Sequence, residues 1–222
     1  MEPAFWHARW QENRIGFHLP EANPLLIRYW PVMQVAPGSN ILVPLCGKSL
    51  DMLWLLDQGY RVTGVEISRI AVEAFFAENR LEPVIEQADG FTRYRCDELV
   101  ILCGDFLALQ RQTAGCIDAV YDRASLIALP PAMRTVYAAH LASLLDAGTP
   151  CLLITLDYDQ RQMNGPPFAV SAEEITALYA DAFGIERLGS DDVLEDSSRF
   201  REAGIKRLHE TTWRLQRNRA GD

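Results

Sequence analysis

The chain has 222 residues, 49% of them hydrophobic and 23% charged, with a formal net charge of −9. That balance describes a globular chain able to bury a substantial core and excludes bulk disorder. The acidic excess argues against a nucleic-acid partner, which needs a basic face, and for a small molecule.

The opening segment "PAFWHARWQENR" reads as a short amphipathic helix with Phe5, Trp6 and Trp10 as its large apolar groups. A loop follows, punctuated by Gly16, Pro20 and Pro24. "LLIRYWPVMQ" is helix-like but interrupted at Pro31. A regular alternation then begins. "NILVPL" is a buried-strand candidate. "SLDMLWLLDQG" reads as a helix with Leu53 and Leu56 on one face and Gly59 as its stop. "RVTGVEIS" is a strand, and "RIAVEAFFAENR" places Val72, Phe75 and Phe76 at helical spacing. "EPVIEQA" and "ELVILCGD" are strands, with a hairpin at "DGFTRYRC". "GCIDAVYDR" is a further strand. "PAMRTVYAAHLASLLDAG" is a helix whose stripe is Met133, Tyr137, Leu141 and Leu144. "TPCLLITLDYD" is a buried strand. Ser171 and Glu174 form a capping-box signal, and "GIERLGSDDVL" and "IKRLHETTWRLQR" close as antiparallel strands. Such alternation predicts an α/β fold, a parallel sheet with helices on both faces, and ligands beyond the carboxyl ends of the strands.

Five cysteines form no CxxC pair, so neither a zinc site nor a disulfide framework is expected, and a reducing cytoplasm is. No metal site is expected, since the four histidines show no ligand spacing. The first residues carry no basic stretch ahead of an apolar core, and no signal peptide is expected. No apolar run approaches the roughly 18–20 residues of a membrane span.

The turns after the strands carry the chemistry. Gly47-Lys48-Ser49 resembles the end of a phosphate-binding loop, but G-x-x-x-x-G-K-[ST] places its first glycine where Leu42 stands, inside the strand. Pro44 also lacks an amide donor. A dinucleotide fingerprint fails too, because only Gly47 is available; a plain tight turn stays open. Glu66 ends the second strand about twenty residues on, where a carboxylate can accept both hydroxyls of an adenosine ribose. A solvated strand-end charge is the competing reading. At the third turn, Gly104 permits close backbone approach, Asp105 can accept from an adenine amino group and Phe106 can cover a ring. An ordinary turn with a packed aromatic fits equally. At the fourth, Arg123 can bind a carboxylate through two bonds, or pair structurally with Asp122.

Taken together, "FWHARWQENRIGFH", "LVPLCGKSLDM", "GVEIS", "CGDF", "YDRASLIALP", "ITLDYD", "GPPF" and "RFREAGIKRLHE" resemble the bacterial thiopurine S-methyltransferases, a class I S-adenosylmethionine-dependent family. The resemblance runs nearly end to end. It implies a Rossmann-like, mostly parallel, twisted seven-stranded sheet with an antiparallel C-terminal strand. It also implies a single domain over residues 1–222 with residues 1–35 as a helical lid. S-adenosyl-L-methionine is the implied cofactor, bordered by Trp10, Leu45, Glu66, Gly104, Asp105, Phe106 and Arg123. Because residues 96–118 fall in a region of variable length in the family, Glu66 is the firmest of these. Phe17, Arg123 and Arg199 are the implied acceptor residues, with Arg123 and Arg199 as thiolate stabilisers and no certain catalytic base. His18, near the lid, is an outside candidate. The implied activity is S-methylation of thiopurines and related aromatic or heterocyclic thiols. Selenium or tellurium oxyanions, halide or thiocyanate are alternative acceptors. A monomer is the default expectation.

Overall fold

The apolar run Ile41–Val43 is buried on both sides in β1 (Asn40–Pro44), the pattern of a strand inside a parallel sheet. The computed structural model describes residues 3–12, 14, 16 and 18–219. The chain divides into two compact units, Met1–Tyr121 and Asp122–Asp222.

In the first unit, α1 (Pro3–Gln11) and α2 (Pro24–Tyr29) precede β1. Asn23 caps α2 by accepting from the Leu25 amide at 2.8 Å, and Pro24 occupies the first turn, where its missing amide costs nothing. Pro31 then ends the α-helix, and Trp30–Met33 tighten into a 3-10 turn. The alternation continues through α3 (Asp51–Asp57), β2 (Arg61–Glu66), α4 (Arg69–Glu78), β3 (Val84–Ala88), β4 (Phe91–Cys96), β5 (Leu99–Cys103) and α5 (Arg111–Ala114) to β6 (Ala119–Arg123). Gly59 closes α3 with φ +83°, a conformation glycine adopts without penalty. The buried face of α3 is Asp51, Met52 and Leu55, not Leu53 and Leu56, which are half-buried. On α4, Val72, Phe75 and Phe76 are buried as their spacing predicts.

Strand order in this unit is β3-β4-β5-β2-β1-β6. The β5-β2-β1-β6 core is parallel, and β4 is antiparallel to both β3 and β5. Edge strand β3 exposes Val84 and Ile85.

In the second unit, α6 (Pro131–Leu144) leads to β7 (Pro150–Asp157), α7 (Ala172–Tyr179), β8 (Phe183–Asp192), α8 (Ser198–Glu202) and β9 (His209–Arg217). Strand β9 lies antiparallel to β7 and β8, with Leu153 opposite Trp213 and a bulge at Arg187/Gly189. The sevenfold strand count is therefore corrected: nine strands occur among the described residues. The α/β architecture with a parallel core stands. The buried stripe of α6 also differs in part from expectation. Tyr137, Leu141 and Leu144 are buried as their spacing predicts, but Met133 is only half-buried and the stripe also takes in Arg134, Ala138 and Ala142.

No described helix is long and apolar enough to cross a membrane.

Candidate active site

The first turn leaves β1 through two left-handed residues, Leu45 at φ +47° and Gly47 at φ +53°. The Cys46 amide donates to the Val65 carbonyl at 2.9 Å, which extends the β1–β2 ladder by one bond. The turn closes when the Ser49 amide donates to the Cys46 carbonyl. Lys48 is committed elsewhere. Its ammonium meets both carboxylate oxygens of Glu78 on α4, at 2.6 and 2.7 Å.

Glu66 joins three turns. Its Oε2 accepts from the Gly47 amide at 2.9 Å and its Oε1 from the Ser68 amide at 2.7 Å. Its main-chain carbonyl accepts from the Gly104 amide at 2.9 Å. The residue is only 6% exposed, so the solvated-charge reading is excluded. Burial pushes its carboxyl up to about 7, against the opposing pull of the Ser68, Gly47 and Ile67 amides. The neighbouring thiols are poor nucleophiles. Burial, followed by the Glu66 charge, raises Cys46 well above its ordinary value and Cys103 to about 11.

Trp10 is buried against the first turn. A β-carbon placed on Gly47 would lie 3.1 Å from Trp10 Cζ2, so the indole rests on the glycine backbone. Phe5 and Trp6 are half-buried and pack edge to face at 5.3 Å. His18 is half-buried. Phe17 lies outside the described residues.

At the third turn, Asp105 is exposed and accepts from the Leu107 amide at 2.9 Å, capping the turn Phe106–Ala108. Phe106 is buried. Gly104 has its own packing reason: a β-carbon there would stand 2.5 Å from the Phe91 ring. The group that closely approaches this glycine is thus Phe91.

In the second unit, Asp122 is fully buried and its carboxylate accepts from the Tyr137 hydroxyl at 2.6 Å. Burial pushes it up to about 6, opposed by the Tyr137 and Ser125 hydroxyls and the Leu126 amide. Arg123, half-buried, belongs to a different electrostatic neighbourhood. Burial raises the Glu210 carboxyl on β9; Arg123 counters that rise and Asp191 adds to it. Arg199 on α8 donates from Nη2 to the Pro166 carbonyl at 3.0 Å.

The sequence pattern of the thiopurine S-methyltransferase family matches residues 1–218. The chain belongs to that family. It is 51% identical to a thiopurine S-methyltransferase of Pseudomonas fluorescens SBW25 over 97% of this chain and 99% of that one. Identity to the thiopurine S-methyltransferase of Pseudomonas paraeruginosa is 52%, over 98% and 100% of the two chains. Solved methyltransferases share the fold. A Burkholderia thailandensis 1,6-didemethyltoxoflavin N1-methyltransferase with bound S-adenosylhomocysteine superposes with TM-score 0.66 at 17% identity, over 98% of this chain and 87% of that one. A Methanosarcina mazei S-adenosylmethionine-dependent methyltransferase gives 0.65 at 16%, over 90% and 100%. The protein is accordingly an S-adenosylmethionine-dependent methyltransferase.

Several participants escape a reading of this family member's sequence alone. Asp51 is buried and accepts from the Asn23 amide at 2.6 Å and the Tyr121 hydroxyl at 3.0 Å, which ties the segment before α2 to the start of α3. Its place in "SLDM", beside the first turn, was the available signal. Arg134, a charge on the apolar stripe of α6, and Glu210, set between His209 and Thr211 in β9, offer none that periodicity can detect.

Proposed function

We propose that this methyltransferase transfers the methyl group of S-adenosyl-L-methionine to the sulfur of thiopurines and related aromatic or heterocyclic thiols. The family match over residues 1–218 carries this reading. The cofactor fits the residues present. It has a ribose with two hydroxyl donors and no phosphate, and Glu66 offers a buried carboxylate whose oxygens each take one amide and retain a lone pair. Lys48, the group a phosphate would need, is paired with Glu78.

Glu66 is proposed to hold the ribose, with Leu45 and Trp10 alongside and Gly104, Asp105 and Phe106 bordering the adenine. When bound, the cofactor supplies an already activated methyl group on a sulfonium. The protein's part is therefore positioning and exclusion of water. Trp10 presents an aromatic face, worth about 0.5–2 kcal/mol toward a sulfonium. Arg123 and Arg199 favour the acceptor as a thiolate by lowering its pKa, and Phe17 borders it. The acceptor's proton leaves to solvent, one sulfur–carbon bond forms as another breaks, and a thioether and S-adenosylhomocysteine result. Attack by an anion on a cation disperses both charges, so a poorly hydrated site speeds the step.

Residues 1–222 act as one methyltransferase domain with residues 1–35 as its lid, in this reading. The protein works as a cytoplasmic monomer without a nucleic-acid partner. Its five free cysteines and acidic balance support that setting. The test is methyl transfer from labelled S-adenosylmethionine to a panel of 6-mercaptopurine, selenite, tellurite, iodide and thiocyanate. Preference for the thiol by kcat/KM supports the proposal. Turnover of the oxyanions or the halide with none of the thiol would overturn it.

A further inference from the structure

We propose that Arg134 is a positioning residue for the acceptor side of the reaction, acting through segment 165–169 on Arg199. The proposal rests on the acceptor role given to Arg199 above.

The guanidinium of Arg134 sits at 0% exposure on the buried stripe of α6. Its Nε donates to the Leu129 carbonyl at 3.0 Å. Its Nη1 donates to the Ala169 carbonyl at 3.1 Å and to Glu174 Oε1 at 2.6 Å. Its Cζ lies 5.9 Å from the centre of the Phe168 ring. That ring folds back over Gly165, where a β-carbon would stand 2.3 Å from it. The rest of the segment is pinned residue by residue. Pro166 O accepts from Arg199, Pro167 O from the Tyr158 hydroxyl at 2.6 Å, and the Phe168 amide donates to the Ile127 carbonyl at 2.7 Å. The Ala169 amide donates to Gln160 Oε1 at 2.7 Å.

A buried guanidinium is a costly way to fill a helix–loop contact. An apolar side chain of similar volume packs as well without desolvating a charge. What the planar fork adds is direction: it fixes two carbonyls and a carboxylate in one relative geometry. Because Pro166 O is a partner of the Arg199 guanidinium, the orientation of Arg199 follows from how firmly the segment is held at Phe168 and Ala169. Glu174 shows the same commitment. Ser171 caps α7 by accepting from the Glu174 amide at 3.2 Å, but the Glu174 carboxylate reaches Arg134, so only half of the capping box forms.

The test uses the full chain with Arg134→Lys, Glu174→Gln, Arg199→Ala and the double variant Arg134→Lys/Arg199→Ala. The readouts are KM for 6-mercaptopurine, S-adenosylhomocysteine affinity by calorimetry, and the melting temperature. Arg134→Lys keeps the charge and loses the fork, and should raise the acceptor KM roughly tenfold while leaving cofactor affinity within about twofold. Glu174→Gln, a gentler change, should give the same pattern at about threefold. It serves if the lysine variant does not fold. The double variant should be no worse than Arg199→Ala alone, because the two changes act in series. An unchanged acceptor KM in both Arg134→Lys and Glu174→Gln, a parallel loss of cofactor affinity in them, or multiplying effects in the double variant would each overturn the proposal. If Arg199→Ala itself leaves acceptor kinetics intact, the acceptor role of Arg199 falls and this proposal with it. If Arg199→Ala is impaired but Arg134→Lys and Glu174→Gln are not, only this proposal falls.

Discussion

Glu66 makes cofactor affinity depend on pH, and the size of the effect follows from its surroundings. Its carboxyl is displaced from 4.5 to about 7, with burial as the largest cause. That displacement corresponds to about 3 kcal/mol against the ionised form in the folded protein. The sign for stability is the one that belongs to a raised carboxyl. The contribution is fully present below pH 4.5, declines as pH rises, and is lost above about 7. Ribose hydroxyls are donors, so they favour the ionised carboxylate. About one-tenth of the protein carries that form at pH 6 and nine-tenths at pH 8. S-adenosylhomocysteine affinity should therefore rise about tenfold between those values. Calorimetric titration in two buffers of different ionisation enthalpy will report the protons released on binding below pH 7. Glu66→Gln should bind more weakly at pH 8 and lose the pH dependence. Equal affinity at pH 6 and pH 8, or a pH dependence that survives in Glu66→Gln, would refute the reasoning.

Three further outcomes are expected. Lys48→Met should leave S-adenosylhomocysteine affinity unchanged and cost at most about 1 kcal/mol in urea unfolding, since Glu78 is half exposed; a large affinity loss would return Lys48 to the site. Gly104→Ala should cost about 1–3 kcal/mol in urea unfolding by driving a methyl into Phe91, and Phe91→Leu in the same chain should recover much of it. Arg123→Ala should lower kcat/KM for 6-mercaptopurine most at low pH, with the loss shrinking once the thiol ionises unaided. A loss independent of pH would argue against thiolate stabilisation.

Much of the fold is legible because burial writes a period into the sequence. The Ile41–Val43 run, the Val72/Phe75/Phe76 face and the Gly59 stop all declare their elements locally. The same reading marks "EPVIEQA" and the hairpin at "DGFTRYRC", which form β3 and β4 at the sheet edge. The count of seven comes with the family resemblance and not from these local patterns, and the nine strands correct it. The site was legible where chemistry and position coincide, as at Glu66. It was not where a partner lies far along the chain. Lys48 meets Glu78 thirty residues away, and Phe91 meets Gly104 through strand pairing; no local pattern encodes either. Arg134 hid for a different reason: a charge at a stripe position reads as a gap in the stripe.

Leu45 bears on any attempt to engineer this protein for heat resistance. A leucine at φ +47° stores about 1–2 kcal/mol that glycine would release. Part of that gain is offset by the greater freedom of glycine in the unfolded chain. A screen for thermostability would thus find little resistance to Leu45→Gly. The substitution would remove a side chain proposed to border the cofactor while the melting curve scarcely moved. Selection at this position has to be read from turnover, because the stability of the fold and the shape of the turn are set by opposing demands.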